Sequence, residues 1–216
     1  MKHSMIVAAG VLVVVTWLLS APASAGPIAD DLNAMSAWQG TQQFYDTEGV
    51  ATLRVDVEYA VYEPGHYGLS GADPSVGTQF VYAYQIFNDL GGNRPVSSFS
   101  VGLDPTANVA HIGSDAGSGT PGGTAPTASA FSGAPPTSAV WNFFLNTIDP
   151  PLEHSTVLLF TSPYGPRLAP ASVMDSGLSD KRDLPSPMPE PATMMLLGIG
   201  SAMMAAVRRL RRRRRA

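Results

Sequence analysis

Between residues 53 and 61 the chain alternates strictly, with Leu53, Val55, Val57, Tyr59 and Val61 on one side and Thr52, Arg54, Asp56 and Glu58 on the other. A period of two is the signature of a strand, and the charged side of such a strand faces water. The run ends at Glu63-Pro64-Gly65, a turn signal. The pattern recurs at residues 79–88, where Phe80, Tyr82, Tyr84 and Ile86 alternate with Val81, Ala83, Gln85 and Phe87. Both sets are largely apolar, which predicts a central strand buried on two faces. Residues 95–103, 139–145 and 155–161 read as further strands, with weaker signals at 108–112 and 168–174, and a short helix is expected at 29–37. Six or seven short strands between turns, with no long helix, predict an all-β domain, an antiparallel β-sandwich or a jelly-roll-like ectodomain.

Two stretches fall outside this pattern. Residues 113–138 are glycine, serine, alanine, threonine and proline with one aromatic, Phe131. Such a composition buries little apolar surface, so a flexible low-complexity loop is expected. Residues 175–188 read as a polar, proline-bearing linker, giving a domain over 26–174. There is no cysteine, which excludes disulfides, thiolate catalysis and Cys-type metal sites. Residues 26–188 carry five basic and sixteen acidic groups, net −11. A body so acidic is a poor binder of nucleic acid.

The ends carry addresses. Met1-Lys2-His3, an apolar stretch from Met5 to Leu19 and then Ala23-Ser24-Ala25 form the three regions of a secretory signal peptide, with cleavage expected after Ala25. At the other end Pro189-Glu190-Pro191 precedes sixteen uncharged, apolar or small residues, 192–207. As a helix these span about 24 Å, short of the ~30 Å hydrocarbon core, so a transmembrane helix here recruits its flanks. Arg208, Arg209, Arg211, Arg212, Arg213, Arg214 and Arg215 follow. Basic clusters stay cytoplasmic. Moving seven charges across 100 mV costs roughly 16 kcal/mol, so residues 208–216 act as membrane stop and orientation signal. Pro185, Pro187, Pro189 and Pro191 alternate before the span, which predicts an extended, accessible segment where an enzyme could cut, or a stiff spacer. Gly198, Ala202 and Ala206 form a small-residue stripe, open to helix docking or to mere composition.

These three ordered features resemble the PEP-CTERM sorting domain of Gram-negative bacteria, over residues 189–216. The methionines of the span (Met194, Met195, Met203, Met204) depart from the leucine and alanine more typical there. The resemblance implies an exosortase-type membrane protease as partner, membrane lipid around the span, and residence in the inner membrane before transfer to the cell surface or an extracellular polysaccharide matrix.

The body carries no catalytic signature. His66, His111 and His154 show no metal-binding spacing, and 113–117 lacks the spacing of a nucleophile elbow. No cofactor, metal or nucleic-acid partner is expected, and the chain reads as a non-enzyme. Among the aromatics, Tyr59, Tyr82 and Trp141 read as core, whereas Tyr62 and Tyr67 flank a turn and are the candidates for an exposed ligand-stacking pair. The expected function is that of an exported, surface-sorted protein with a structural or adhesive body. A carbohydrate-binding module and a secreted hydrolase, the latter needing paired carboxylates, are the alternatives.

Overall fold

The computed structural model describes residues 27–68, 73–175 and 177–189. One 3-10 turn (Ile28–Asp30) precedes ten strands: β1 (Gln39–Glu48), β2 (Ala51–Tyr62), β3 (Phe80–Asn88), β4 (Ser98–Gly102), β5 (Ala110–Asp115), β6 (Ala128–Ser132), β7 (Ser138–Asn142), β8 (Val157–Ser162), β9 (Pro166–Met174) and β10 (Ser179–Pro187). They form two five-stranded antiparallel sheets, in the orders β1-β2-β3-β8-β5 and β10-β9-β4-β7-β6. The expected all-β sandwich is present. The signal helix and the membrane helix fall outside the described residues.

The inner faces follow from the alternation. Leu53, Val55, Val57 and Val61 of β2, Tyr82, Tyr84 and Ile86 of β3, and Leu158 and Phe160 of β8 are buried against Phe99, Val101, Trp141, Val173 and Leu184 of the opposite sheet. Trp141 lies at the centre, stacked on Phe99 with centroids 5.7 Å apart and within 6.2 Å of Phe160 and 6.1 Å of Tyr84. Its indole N–H donates to the Gly113 carbonyl at 2.9 Å, so the one polar atom of the largest core residue is paired.

The outer face of the first sheet is also covered, which alternation alone does not foretell. Ile28, Ala60, Tyr62, Tyr67, Val81, Ala83, Val157 and Leu159 form a second buried cluster there. The expected helix at 29–37 is only the single turn Ile28–Asp30. The backbone of the segment that follows is used otherwise: Met35 N donates to Val61 O at 2.8 Å and Val61 N to Trp38 O at 3.1 Å, lengthening β2's ladder.

The cover reaches Glu58, which the alternation placed in water. Burial raises its carboxyl pKa above the ordinary value, outweighing the N–H groups of Ala29 and Ile28, which act the other way. Ionisation therefore weakens the fold as pH rises from about 4.5 through the raised value. Glu58→Gln is expected to raise the melting temperature at pH 7 and to leave it unchanged at pH 4. A variant less stable than the parent at pH 7 would contradict this assignment.

Three strands replace features read differently from the sequence. β1 occupies a stretch that carried no strand signal; Phe44 is its one fully buried side chain. Residues 113–138 are not a flexible loop, for they hold the end of β5 and all of β6. Contacts rather than composition order them. Gln85 Nε2 donates to Thr120 O and Thr120 N returns a bond to Gln85 Oε1, both 2.9 Å. Thr124 N donates to His154 O at 2.7 Å, and Phe131 packs edge-on to Phe160. A Cβ on Gly123 would lie 2.1 Å from the Ser155 carbonyl oxygen, so glycine here permits close packing and is not a mark of looseness. Residues 175–188 are not a linker either, because β10 completes the second sheet.

Candidate functional site

β10 lies at a sheet edge, where proline is tolerated because the outer side needs no ladder partner. Pro187 pairs in register with Pro166. Leu184 is buried in the core. The Tyr84 hydroxyl donates to the Pro185 carbonyl, and Ser186 Oγ donates to Gly102 O at 2.6 Å. Met188 N donates to Gly165 O at 3.2 Å. Pro189, the first residue of Pro189-Glu190-Pro191, is half-buried.

The stretch before the motif is extended, as expected, but it is not accessible: Pro185 and Pro187 are buried. A residue held in a ladder cannot also lie in an enzyme's cleft. The folded domain thus withholds β10 through Pro187.

Residues 189–214 match the PEP-CTERM protein-sorting motif. The chain carries a PEP-CTERM sorting motif at its C-terminal end. The motif implies processing by exosortase, a membrane protein, and so an exported, membrane-processed protein of the cell surface. No curated protein and no solved structure matches the chain, so the sandwich ahead of the motif is read from its own residues.

Of the sorting residues, Pro189 alone is described. Glu190, Pro191, the arginines from Arg208 to Arg215, the stretch 192–207 and the signal residues Ala23 and Ala25 lie outside the described residues. Among the described residues no helix is long and apolar enough to cross a membrane.

Strand registers fix where the PEP-CTERM segment leaves. Pro187 lies opposite Pro166, and Ser179 opposite Met174 at the other end of the same hairpin. Met174 also pairs with Ser98, which faces Asn142 on β7. The loops joining β1 to β2, β3 to β4, β7 to β8 and β9 to β10 therefore share the pole opposite the tail. Asn93 Nδ2 donates to Val50 O at 2.7 Å, Leu152 N to Asn88 O at 2.9 Å, and Arg54 pairs with Asp89 at 2.9 Å, tying three of these loops together. The loop tips expose Val50, Leu90, Phe144, Leu145 and Leu152.

Tyr62 and Tyr67 do not form an exposed stacking pair. Both are buried and meet edge to face, with centroids 5.0 Å apart. Tyr62 falls on the outer face of β2, and the cover described above closes over it. Its hydroxyl donates to Asp31 Oδ2 at 2.9 Å. The Tyr67 hydroxyl lies 3.0 Å from Asp115 Oδ2 and 3.1 Å from Ser118 Oγ. Burial, joined by the charge of Asp31 for Tyr62 and of Asp115 for Tyr67, holds both phenols well above their ordinary pKa, hence neutral and donating. The network pins the N-terminal segment and the loop after β5 onto the first sheet. The aspartates in it carried no sequence signal, because their partners lie 31 and 48 residues away.

The histidines are scattered. His66 Nδ1 contacts Pro64 O, and His154 Nε2 contacts Pro121 O while its ring stacks on Phe87. His111 sits in β5. Among the described residues no group of three or more His, Asp or Glu side chains could hold a metal ion. A cleft of about 320 Å³ is lined by Asn33, Met35, Trp38, Glu63 and His66, among others. Trp38 is partly buried there and packs against the core.

Proposed function

We propose that the sandwich is a structural or adhesive element, not an enzyme, and that its C-terminal segment is a temporary anchor. The signal peptide is removed after Ala25 and the body crosses the inner membrane. Residues 192–207 then hold the chain in the lipid with the arginines on the cytoplasmic side. Exosortase acts at or beyond Pro189-Glu190-Pro191, and the freed sandwich passes to the surface or into the polysaccharide matrix. One observation carries this reading: the domain is stitched shut to within two residues of the motif, while apolar loop tips crowd the opposite pole. A cut at the motif costs the fold nothing, and the free pole is the one that meets other molecules.

Replacing Pro189, Glu190 and Pro191 together with alanine tests it. Full-length protein should accumulate in the inner membrane and surface protein should fall at least tenfold, read by fractionation and immunoblotting. Unchanged mobility and location would refute processing at this motif.

A further inference from the structure

Four strand edges bound the two sheets, and three are guarded. β1 and β10 face each other along one side and cap one another: Tyr45 N donates to Asp180 Oδ2 at 2.8 Å, and Ser179 N to Asp46 Oδ2 at 3.0 Å. β10 adds Lys181, Arg182, Asp183, Pro185 and Pro187. On the other side β5 is broken by a register shift between Ala110 and Gly113, with His111 at φ 51°, and ends in Asp115. Charges, prolines and bulges are the devices by which an edge refuses a further strand.

β6 carries no charge, proline or bulge, although it lies beside β5 along that side of the sandwich. Ala128-Ser129-Ala130-Phe131-Ser132 runs in unbroken register with β7, and no described strand pairs with its outer edge. Ala128, Ala130 and Ser132 are exposed, while Ser129 and Phe131 turn inward. The strand lies within residues 116–148, which carry no charged side chain, in a body of net −11.

We propose that the outer edge of β6 pairs with β6 of a second copy, antiparallel, about a two-fold axis at Ala130. Two bodies of net −11 repel wherever their acidic groups approach, so self-association is favoured where neither copy has a charge to bring. An isologous contact also requires a self-complementary strand. Antiparallel pairing centred on Ala130 sets Ala130 against Ala130 and Ala128 against Ser132, small groups that leave the backbones free to close. Two five-stranded sheets then become one of ten strands. A five-residue ladder is weak in dilute solution and gains from copies held at one surface. The pairing stands whether or not the C-terminal segment is cut.

The chain has no cysteine, so each one introduced reports alone. In the full-length protein in membranes, Ala130→Cys should give a covalent homodimer with mild oxidant or a short bis-maleimide, at least tenfold more than Lys181→Cys on the guarded β10 edge. Ala128→Cys and Ser132→Cys should cross-link to each other when co-expressed far better than either does to itself. Adding Ala130→Lys to that pair should abolish the product. Ala130→Cys remaining monomeric, cross-linking no better than Lys181→Cys, or being captured only by a different protein would overturn the proposal.

Discussion

A chain ended after Met188 will fold, and a chain ended after Leu178 will not. The two differ by β10. Its loss exposes the core beneath Leu184, whose burial is worth about 1.5–3 kcal/mol. It also strands the fully buried Tyr84 hydroxyl, whose acceptor is Pro185 O, at a cost of roughly 1–3 kcal/mol. The nine-residue ladder with β9 goes as well, and with it the partner that caps β1. Those losses rival the ~5–15 kcal/mol that holds a domain together. Thermal unfolding by circular dichroism and limited proteolysis separate the outcomes. Equal stability of the two truncations would mean that β10 is a linker after all.

Trp141→Ala is the second large effect. The side chain is fully buried between Phe99, Phe160 and Tyr84. Removing an aromatic of this kind costs about 3–5 kcal/mol. The Gly113 carbonyl loses its donor in the same step. Because that carbonyl belongs to β5, the damage reaches both sheets. Trp141→Phe keeps most of the contact and loses chiefly the hydrogen bond, about 1 kcal/mol. Urea titration should rank them parent, Phe, Ala. A loss under 1 kcal/mol for Trp141→Ala would place the centre of the core elsewhere.

How much could be read in advance depended on burial. β2, β3 and β8 were legible because most of their residues are buried, β2 with the two-residue alternation of a strand and β3 and β8 as apolar runs covered on both faces. β1, β6 and β10 are edge strands. β1 buries only Phe44 fully, β6 leaves three of its five residues exposed, and β10 begins polar and ends in prolines. Edge strands need few apolar residues, so their order comes from neighbours that composition does not reveal. Tyr62 was misplaced for a related reason. Its parity puts it on the outer face of β2, and that face is buried by a segment thirty residues upstream and a loop fifty residues downstream. The sorting signal was legible throughout, since it consists of local features in fixed order at one end of the chain.

The sheet edges add a consequence for the surface. If PEP-CTERM processing frees sandwiches that pair through β6, the product is a layer of dimers with their apolar loop poles displayed, and the sorting signal serves assembly as well as transport.

The most direct measurement is the intact mass of the mature protein recovered from the cell surface. It should correspond to a chain that begins at Gly26 and ends between Met188 and Val207, with β10 whole and the arginines gone. A mass that retains Arg208 to Arg215, or a C-terminus inside Ser179–Pro187, would contradict a temporary anchor cut beyond a finished sandwich.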